Sequence, residues 1–247
     1  MQAVVSSLLT NYNKEGSGTT LLLLHGWGDS SKGLESFRKE LSRTYQVISL
    51  DLPGFGGSQA PPVAWGLDEY ADFVEAFAAK MDLSIDAIVG HSNGGAIAIR
   101  ALRRGLKAKK LILIASAGIR GEYKGRMKAL RLVTKAGKAL TSPLPIRIKK
   151  RLRGKVYSTI GSDLLVAEHM QATFKRVVED DVRHDAASLL LPTLLIYGDA
   201  DTSTPLRYGQ ILQDAIAKSK LVVIPNGQHW LPTDNTKHVA HIIREFL

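Results

Sequence analysis

Short hydrophobic runs alternate with amphipathic stretches along most of this 247-residue chain. The runs are rich in Leu, Ile and Val and span only a few residues, which is typical of strands buried on both faces. Their alternation with helical spacing predicts a mostly parallel sheet with helices on both faces. The predicted strands are residues 20–24, 46–50, 87–89, 110–115, 193–197 and 221–224, with 8–12 as an antiparallel edge strand, and the predicted helices between them include 68–80, 96–104 and 236–246.

The strand pattern stops between residues 115 and 193, where the sequence favours helices instead. Residues 125–140, 146–160 and 162–180 have helical spacing, and Ser142-Pro143-Leu144-Pro145 separates the first two because proline cannot continue a helix. We therefore predict an inserted helical lid over residues 119–187. It divides one sheet domain into a first part, residues 1–118, and a second part, residues 188–247.

The net charge of +10 is concentrated in the predicted lid. Residues 119–187 hold 16 of the 33 Lys and Arg residues but 7 of the 23 Asp and Glu residues, which is a local net charge of +9. The chain has no cysteine, which excludes disulfides, thiolate metal sites and cysteine catalysis. The N-terminal residues lack the basic segment and apolar core of a signal peptide, and no apolar run reaches the roughly 18 residues of a membrane span. We expect a cytoplasmic protein.

A serine lies among glycines where the strand at 87–89 gives way to the helix at 96–104. The motif Gly90-His91-Ser92-Asn93-Gly94 matches G-x-S-x-G in the strand–turn–helix context that this motif requires. A glycine-rich turn that happens to contain a serine is the simpler interpretation. In the functional interpretation, a side chain at position 90 or 94 would collide with a neighbouring strand or helix, and Ser92 is a nucleophile.

A nucleophilic serine needs a base, and the base needs a carboxylate to orient it. His229 follows the last predicted strand, at the edge where open α/β sheets gather their ligands. Asp199 and Asp201 both lie in the loop after the strand at 193–197, and position alone leaves either as the acid. The backbone N–H groups of Asn93 and Trp27 would donate hydrogen bonds to the oxyanion that forms when a nucleophile attacks a carbonyl group.

Five motifs in this order make the chain similar to the α/β-hydrolase superfamily: LLLLHGWG, DLPGFGGS, VGHSNGG, PTLLIYGDADTSTP and IPNGQHW. The resemblance implies the α/β-hydrolase fold and selects Asp201 over Asp199, because the family acid follows Gly by three residues and precedes Pro by four. It assigns Ser92, Asp201 and His229 as a triad. One departure is Gln228, where relatives usually have a glycine directly before the histidine; this bears on the expected local loop geometry and leaves the assignment of His229 unchanged.

The resemblance implies acyl transfer to water with no cofactor and no metal, and carboxylic ester hydrolysis is the first expectation. Thioesters, lactones and carbon–carbon bonds stay open because the same triad serves all of them. A catalytically silent binding protein on the same fold is the alternative from another class. A dinucleotide loop is excluded because Gln59 stands where the third glycine of GFGGSQ would be, and His238 and His241 lack a third metal ligand.

Residues 146–155 contain six cations and are the remaining clue to a substrate or partner. A solvated helix face, attraction of an anionic or carrier-linked ester, and docking of a basic amphipathic helix on a membrane surface are all consistent with this pattern. HGWG and DLPGFG resemble the pimeloyl-acyl-carrier-protein methyl esterases, which implies an acidic carrier-linked substrate. Nucleic acid is not expected, because the lid offers few aromatic side chains for stacking on bases. Oligomeric state is left open.

Overall fold

The computed structural model describes residues 1–120 and 168–247. Within them, eight strands form one sheet in the order β1-β2-β4-β3-β5-β6-β7-β8. The pairs β1–β2 and β2–β4 are antiparallel, and every later pair is parallel. The strands are β1 Gln2–Val5, β2 Leu8–Glu15, β3 Thr20–Leu24, β4 Gln46–Leu50, β5 Ala87–His91, β6 Lys110–Ile114, β7 Thr193–Gly198 and β8 Ser219–Ile224. The predicted mostly parallel sheet is confirmed.

Helices cover both faces of this sheet. Numbered along the described residues, they are α1 Glu35–Leu41, α2 Leu67–Lys80, α3 Asn93–Arg104, α4 Gln171–Glu179, α5 Arg183–Ala187, α6 Leu206–Ala215, α7 Leu231–Asp234 and α8 Thr236–Phe246. One hydrophobic core lies between the sheet and α2, α3 and α6, and a second lies between the sheet and α1 and α8. The sheet is thus the middle of three layers.

The four leucines of β3 show why the central strands are rich in apolar residues. Leu22 and Leu24 belong to one core, whereas Leu21 and Leu23 belong to the other. Successive side chains of a strand point to opposite faces, and both faces of this sheet are covered. A largely apolar run is therefore what burial on both faces favours in a central strand.

Strand β1 and helices α1, α5, α6 and α7 are absent from the sequence predictions, and β8 begins two residues earlier than expected. The prediction of residues 8–12 as an edge strand is wrong: β2 is antiparallel, as expected, but it pairs with both β1 and β4, and β1 is the edge. Strand β1 is only four residues long and joins β2 through Ser6 and Ser7, whose φ angles are 46° and 64°. Both turn residues have the positive φ of a tight hairpin, a conformation that serine seldom adopts, so the sequence lacks the usual Asn-Gly turn signal.

Only part of the predicted lid lies within the described residues. The predicted helices 125–140 and 146–160, and with them the basic residues 146–155, lie outside the described residues. In the described part of the predicted helix 162–180, a 3-10 turn at Glu168–Met170 leads into α4, and Asp180 is already extended. The boundaries of the lid stay a prediction.

Arg100 links residues 180–185, at the end of the predicted lid, to the core. Its guanidinium, on α3, pairs with Asp185 at 2.6 Å, with Asp180 at 3.2 Å and with Asp68 on α2. Helix α5 packs against α3 and α6. The chain segment that returns to β7 is therefore held on the sheet domain by both ion pairs and packing.

No helix within residues 1–120 and 168–247 is both long and apolar enough to cross a membrane. A cytoplasmic location stays a prediction.

The topology indicates at which edge of the sheet a ligand would bind. From β3 the chain continues to β4 on one side and later to β5 on the other side, so the strand order reverses at β3. In open α/β sheets, ligands bind outside the carboxyl ends of the strands at such a point. The loops that follow β3, β5, β7 and β8 all begin at this edge, because these strands are parallel.

Candidate active site

Ser92 lies on a strained turn between β5 and α3, with φ 52° and ψ −119°. This conformation is unfavourable for a residue with a Cβ and persists only where the surrounding structure enforces it. A Cβ on Gly90 would lie 2.5 Å from the Cα of Gly95, and one on Gly94 would lie 2.4 Å from the carbonyl oxygen of Leu24. The predicted need for glycine on both sides of Ser92 is confirmed by these contacts.

The structure brings Ser92, His229 and Asp201 together from three separate loops. The Ser92 Oγ lies 3.0 Å from His229 Nε2, and His229 Nδ1 lies 2.8 Å from Asp201 Oδ2. Ser92 follows β5, Asp201 follows β7, and His229 follows β8. The side chain of Asp201 is fully buried, while that of His229 is 17% exposed.

Asp199 and Asp201 have different surroundings, although they are two residues apart. Asp199 is exposed, and its Oδ1 accepts a 2.7 Å hydrogen bond from the backbone N–H of Asn226. It therefore ties together the loops that follow β7 and β8. Asp201 points inward and contacts His229.

The Asp201 carboxylate accepts hydrogen bonds at both oxygens. Burial opposes its charge, but hydrogen bonds from His229 and Thr204 outweigh burial and hold the pKa of Asp201 below its ordinary value. An ionised carboxylate can only accept, so His229 Nδ1 carries the proton of this contact. Nε2 is then free to accept the Ser92 hydroxyl proton, which is the tautomer that a general base requires.

The two residues predicted to donate to an oxyanion lie on either side of the Ser92 turn. Asn93 is the first residue of α3, where a backbone N–H has no partner within the helix. Trp27 follows Gly26, whose added Cβ would lie 3.1 Å from the Cβ of Ser92. The loop that carries Trp27 thus passes directly beside the serine, and the indole packs 4.9 Å from the Phe55 ring.

Two further histidines, His25 and His91, hold these loops in place. His25 Nδ1–H donates to the Gly26 carbonyl at 2.7 Å, and its Nε2 accepts from the Leu52 N–H at 3.0 Å. His91 Nε2–H donates to the backbone carbonyl of His229 at 3.0 Å. His91 therefore joins the Ser92 turn to the His229 loop. Sequence offers no signal for the contacts with Leu52 and His229, because these partners are remote from His25 and His91 along the chain.

The pKa of His91 is lowered from 6.5 to about 3. Burial is the largest cause, and the charge of the neighbouring His229 is the second. An unfolded chain binds a proton at His91 below pH 6.5, whereas the folded protein does not until about pH 3. Folding stability is therefore lost as the pH falls through this window. The expected slope is about 1.4 kcal/mol per pH unit from this one group.

We expect His91→Gln to remove this slope from the free energy of unfolding between pH 6.5 and 4.5. Glutamine keeps a donor for the His229 carbonyl but takes up no proton. Urea unfolding of both proteins across this pH range measures the difference. Above pH 7.5 the imidazole is neutral in both states, so the two pH dependences should run parallel there. Equal slopes in the acid range would show that His91 does not bind a proton on unfolding.

Comparison with known proteins places the chain from β3 to α8 in one family. A sequence model described as the Alpha/beta hydrolase family matches residues 21–240. The pimeloyl-[acyl-carrier protein] methyl ester esterase of Neisseria meningitidis serogroup C is 28% identical, with 91% of this chain and 92% of that protein covered. The 2-hydroxymuconate semialdehyde hydrolase of Pseudomonas sp. is 26% identical, with 100% and 93% covered.

A solved structure of a membrane phospholipase A shares the fold, with a TM-score of 0.81. It is 24% identical, and the match covers 100% of this chain and 84% of that one. That structure shows the fold, and the family match and the two sequence relatives support a hydrolase. The family match extends from β3 to α8 and includes every loop that contributes to the Ser92 site, so this chain belongs to the alpha/beta hydrolase family.

Proposed function

We propose that this protein is a serine hydrolase that cleaves carboxylic esters through an acyl-enzyme intermediate. The observation that supports this most directly is the continuous line of hydrogen bonds from Ser92 Oγ through the His229 ring to Asp201. In this proposal Ser92 is the nucleophile, His229 is the general base and acid, and Asp201 orients the imidazole and stabilises its charged form.

In the first half of the reaction, Ser92 Oγ attacks the ester carbonyl carbon while His229 Nε2 takes the hydroxyl proton. The carbonyl oxygen becomes an oxyanion that accepts hydrogen bonds from the backbone N–H groups of Trp27 and Asn93. When the intermediate collapses, the bond to the alcohol oxygen breaks and Nε2 returns the proton to that oxygen. The alcohol leaves, and the acyl group stays on Ser92.

Water completes the reaction by the same steps. His229 Nε2 takes a proton from water as the water oxygen attacks the acyl carbon, and the second tetrahedral intermediate releases Ser92 Oγ with that proton. The products are a carboxylic acid and the free enzyme. Each oxyanion donor would stabilise the transition state by about 3–4 kcal/mol.

Two observations suggest the substrate class: the name of the Neisseria relative and the positive charge of residues 146–155. The Neisseria protein is named as an esterase of a pimeloyl methyl ester on a carrier protein, which favours an ester and suggests an anionic or carrier-linked substrate. The basic residues 146–155 would attract such a substrate by raising its local concentration. Thioesters, lactones and carbon–carbon bonds are the alternatives on the same triad.

Covalent labelling with a fluorophosphonate tests the proposal. We expect one phosphonyl group per chain, found on the Ser92 peptide by mass spectrometry, together with turnover of p-nitrophenyl acetate and butyrate. Ser84→Ala, which removes an exposed serine hydroxyl far from the site, should label like the wild-type protein. An unlabelled wild-type protein without ester turnover would instead favour a catalytically silent binding protein.

A further inference from the structure

The hydroxyl of Thr204 lies within the Asp201–His229 contact. Thr204 is three residues after Asp201 and only 4% exposed. Its Oγ1 lies 2.7 Å from Asp201 Oδ2, 3.1 Å from His229 Nδ1 and 2.9 Å from the carbonyl oxygen of Ala115. One buried oxygen atom therefore contacts three different segments of the chain.

The hydrogen bonds of Asp201 divide between its two oxygens. Oδ1 accepts from the backbone N–H groups of Ser203 at 2.7 Å and Thr204 at 3.0 Å. Oδ2 accepts from His229 Nδ1–H and faces the Thr204 hydroxyl. The backbone donors hold Oδ1 in place, and the hydroxyl is the side-chain group that stands beside Oδ2. Together they fix the rotation of the carboxylate.

The Thr204 hydroxyl has one proton and two acceptors near it, Asp201 Oδ2 and the Ala115 carbonyl. The shorter distance is the one to Oδ2, and a hydrogen bond to a charged acceptor is the stronger of the two. The Ala115 carbonyl lies at the end of β6, next to β7 in the sheet, and limits how far the hydroxyl can move. The lone pairs of Oγ1 remain available to the Nδ1–H of His229.

We propose that Thr204 is a positioning residue that holds Asp201 Oδ2 against His229 Nδ1 during proton transfer. This inference rests on the proposed function. As His229 takes the Ser92 proton, positive charge develops on the ring, and the Nδ1–H contact must keep its direction while it strengthens. A carboxylate free to rotate would lose this alignment, and small misplacements at a reacting centre are costly. We expect substrate binding to be unaffected, because Thr204 is almost fully buried and has little surface open to a substrate.

Three substitutions at position 204 test this role. Thr204→Val keeps the shape and removes the hydroxyl, Thr204→Ser keeps the hydroxyl, and Thr204→Ala is close to serine in size but lacks the hydroxyl. We expect Thr204→Val and Thr204→Ala to lower kcat about 10- to 100-fold, because each loses one hydrogen bond to a charged group. KM should stay near the wild-type value, and Ser should restore most of kcat. The rate of fluorophosphonate labelling should fall in parallel with kcat/KM.

Thr202→Val is the matched control, because Thr202 is an exposed threonine in the same loop. Wild-type kcat in both Thr204→Val and Thr204→Ala, or an equal loss in Thr204→Ser and Thr204→Ala, would overturn the inference. Should the valine protein fold poorly, the alanine and serine proteins still compare side chains of similar size with and without the hydroxyl. Failure of the proposed function looks different, because the wild-type protein itself would then show neither labelling nor turnover.

Discussion

Removal of the Ser92 hydroxyl by Ser92→Ala is expected to lower kcat for ester hydrolysis by about 10⁴- to 10⁶-fold, and His229→Ala should cost about as much. The double variant should be no slower than either single variant. The reason is the 3.0 Å contact between Ser92 Oγ and His229 Nε2. A serine without its base and a base without its serine are equally unable to form an acyl-enzyme.

Steady-state rates of the three proteins with p-nitrophenyl butyrate, at matched concentrations and corrected for spontaneous hydrolysis, test this non-additivity. Fluorophosphonate labelling should disappear in all three. Losses that multiply in the double variant would mean that the two side chains act independently, and a Ser92→Ala protein with wild-type turnover would remove Ser92 from the mechanism.

Asp201→Asn is expected to lower kcat by about 10⁴-fold with little change in fold. The hydrogen bonds around this side chain determine which way the new amide must point. Backbone N–H groups of Ser203 and Thr204 donate at the Oδ1 position, so the amide oxygen belongs there. The amide NH₂ then faces His229 Nδ1, which must accept instead of donate. The imidazole proton moves to Nε2, and Nε2 can no longer take the proton of Ser92.

Asp199→Asn is the matched control for this substitution. Asp199 is exposed, and its contact with the Asn226 N–H needs only an acceptor, which an amide oxygen supplies. We expect its kcat to stay within about twofold of the wild-type value, in line with other exposed substitutions. A large loss in Asp199→Asn together with near-normal turnover in Asp201→Asn would identify Asp199 as the orienting acid.

The central strands could be predicted because burial on both faces selects short runs of apolar residues, which are visible in the local sequence. Leu21–Leu24 are all buried by layers on both faces, and such a strand favours a largely apolar sequence. The requirement for glycine at positions 90 and 94 could also be predicted, and the structure explains it because neighbouring atoms approach too closely for any side chain. Strand β1 and helix α1 escaped prediction because each is short and depends on its neighbours for stability.

The candidate site likewise has residues that the sequence predicts and contacts that only the folded structure shows. Glycine spacing and strand order point to Ser92 and His229, since these signals lie within a few residues of each side chain. The inward orientation of Asp201 and outward orientation of Asp199, and the contacts of Thr204 with Ala115 and His229 and of His91 with His229, appear only in the folded chain. A local pattern encodes burial and backbone freedom, whereas these hydrogen bonds join loops tens of residues apart. Their geometry depends on the path of each loop across the sheet edge, which packing alone decides.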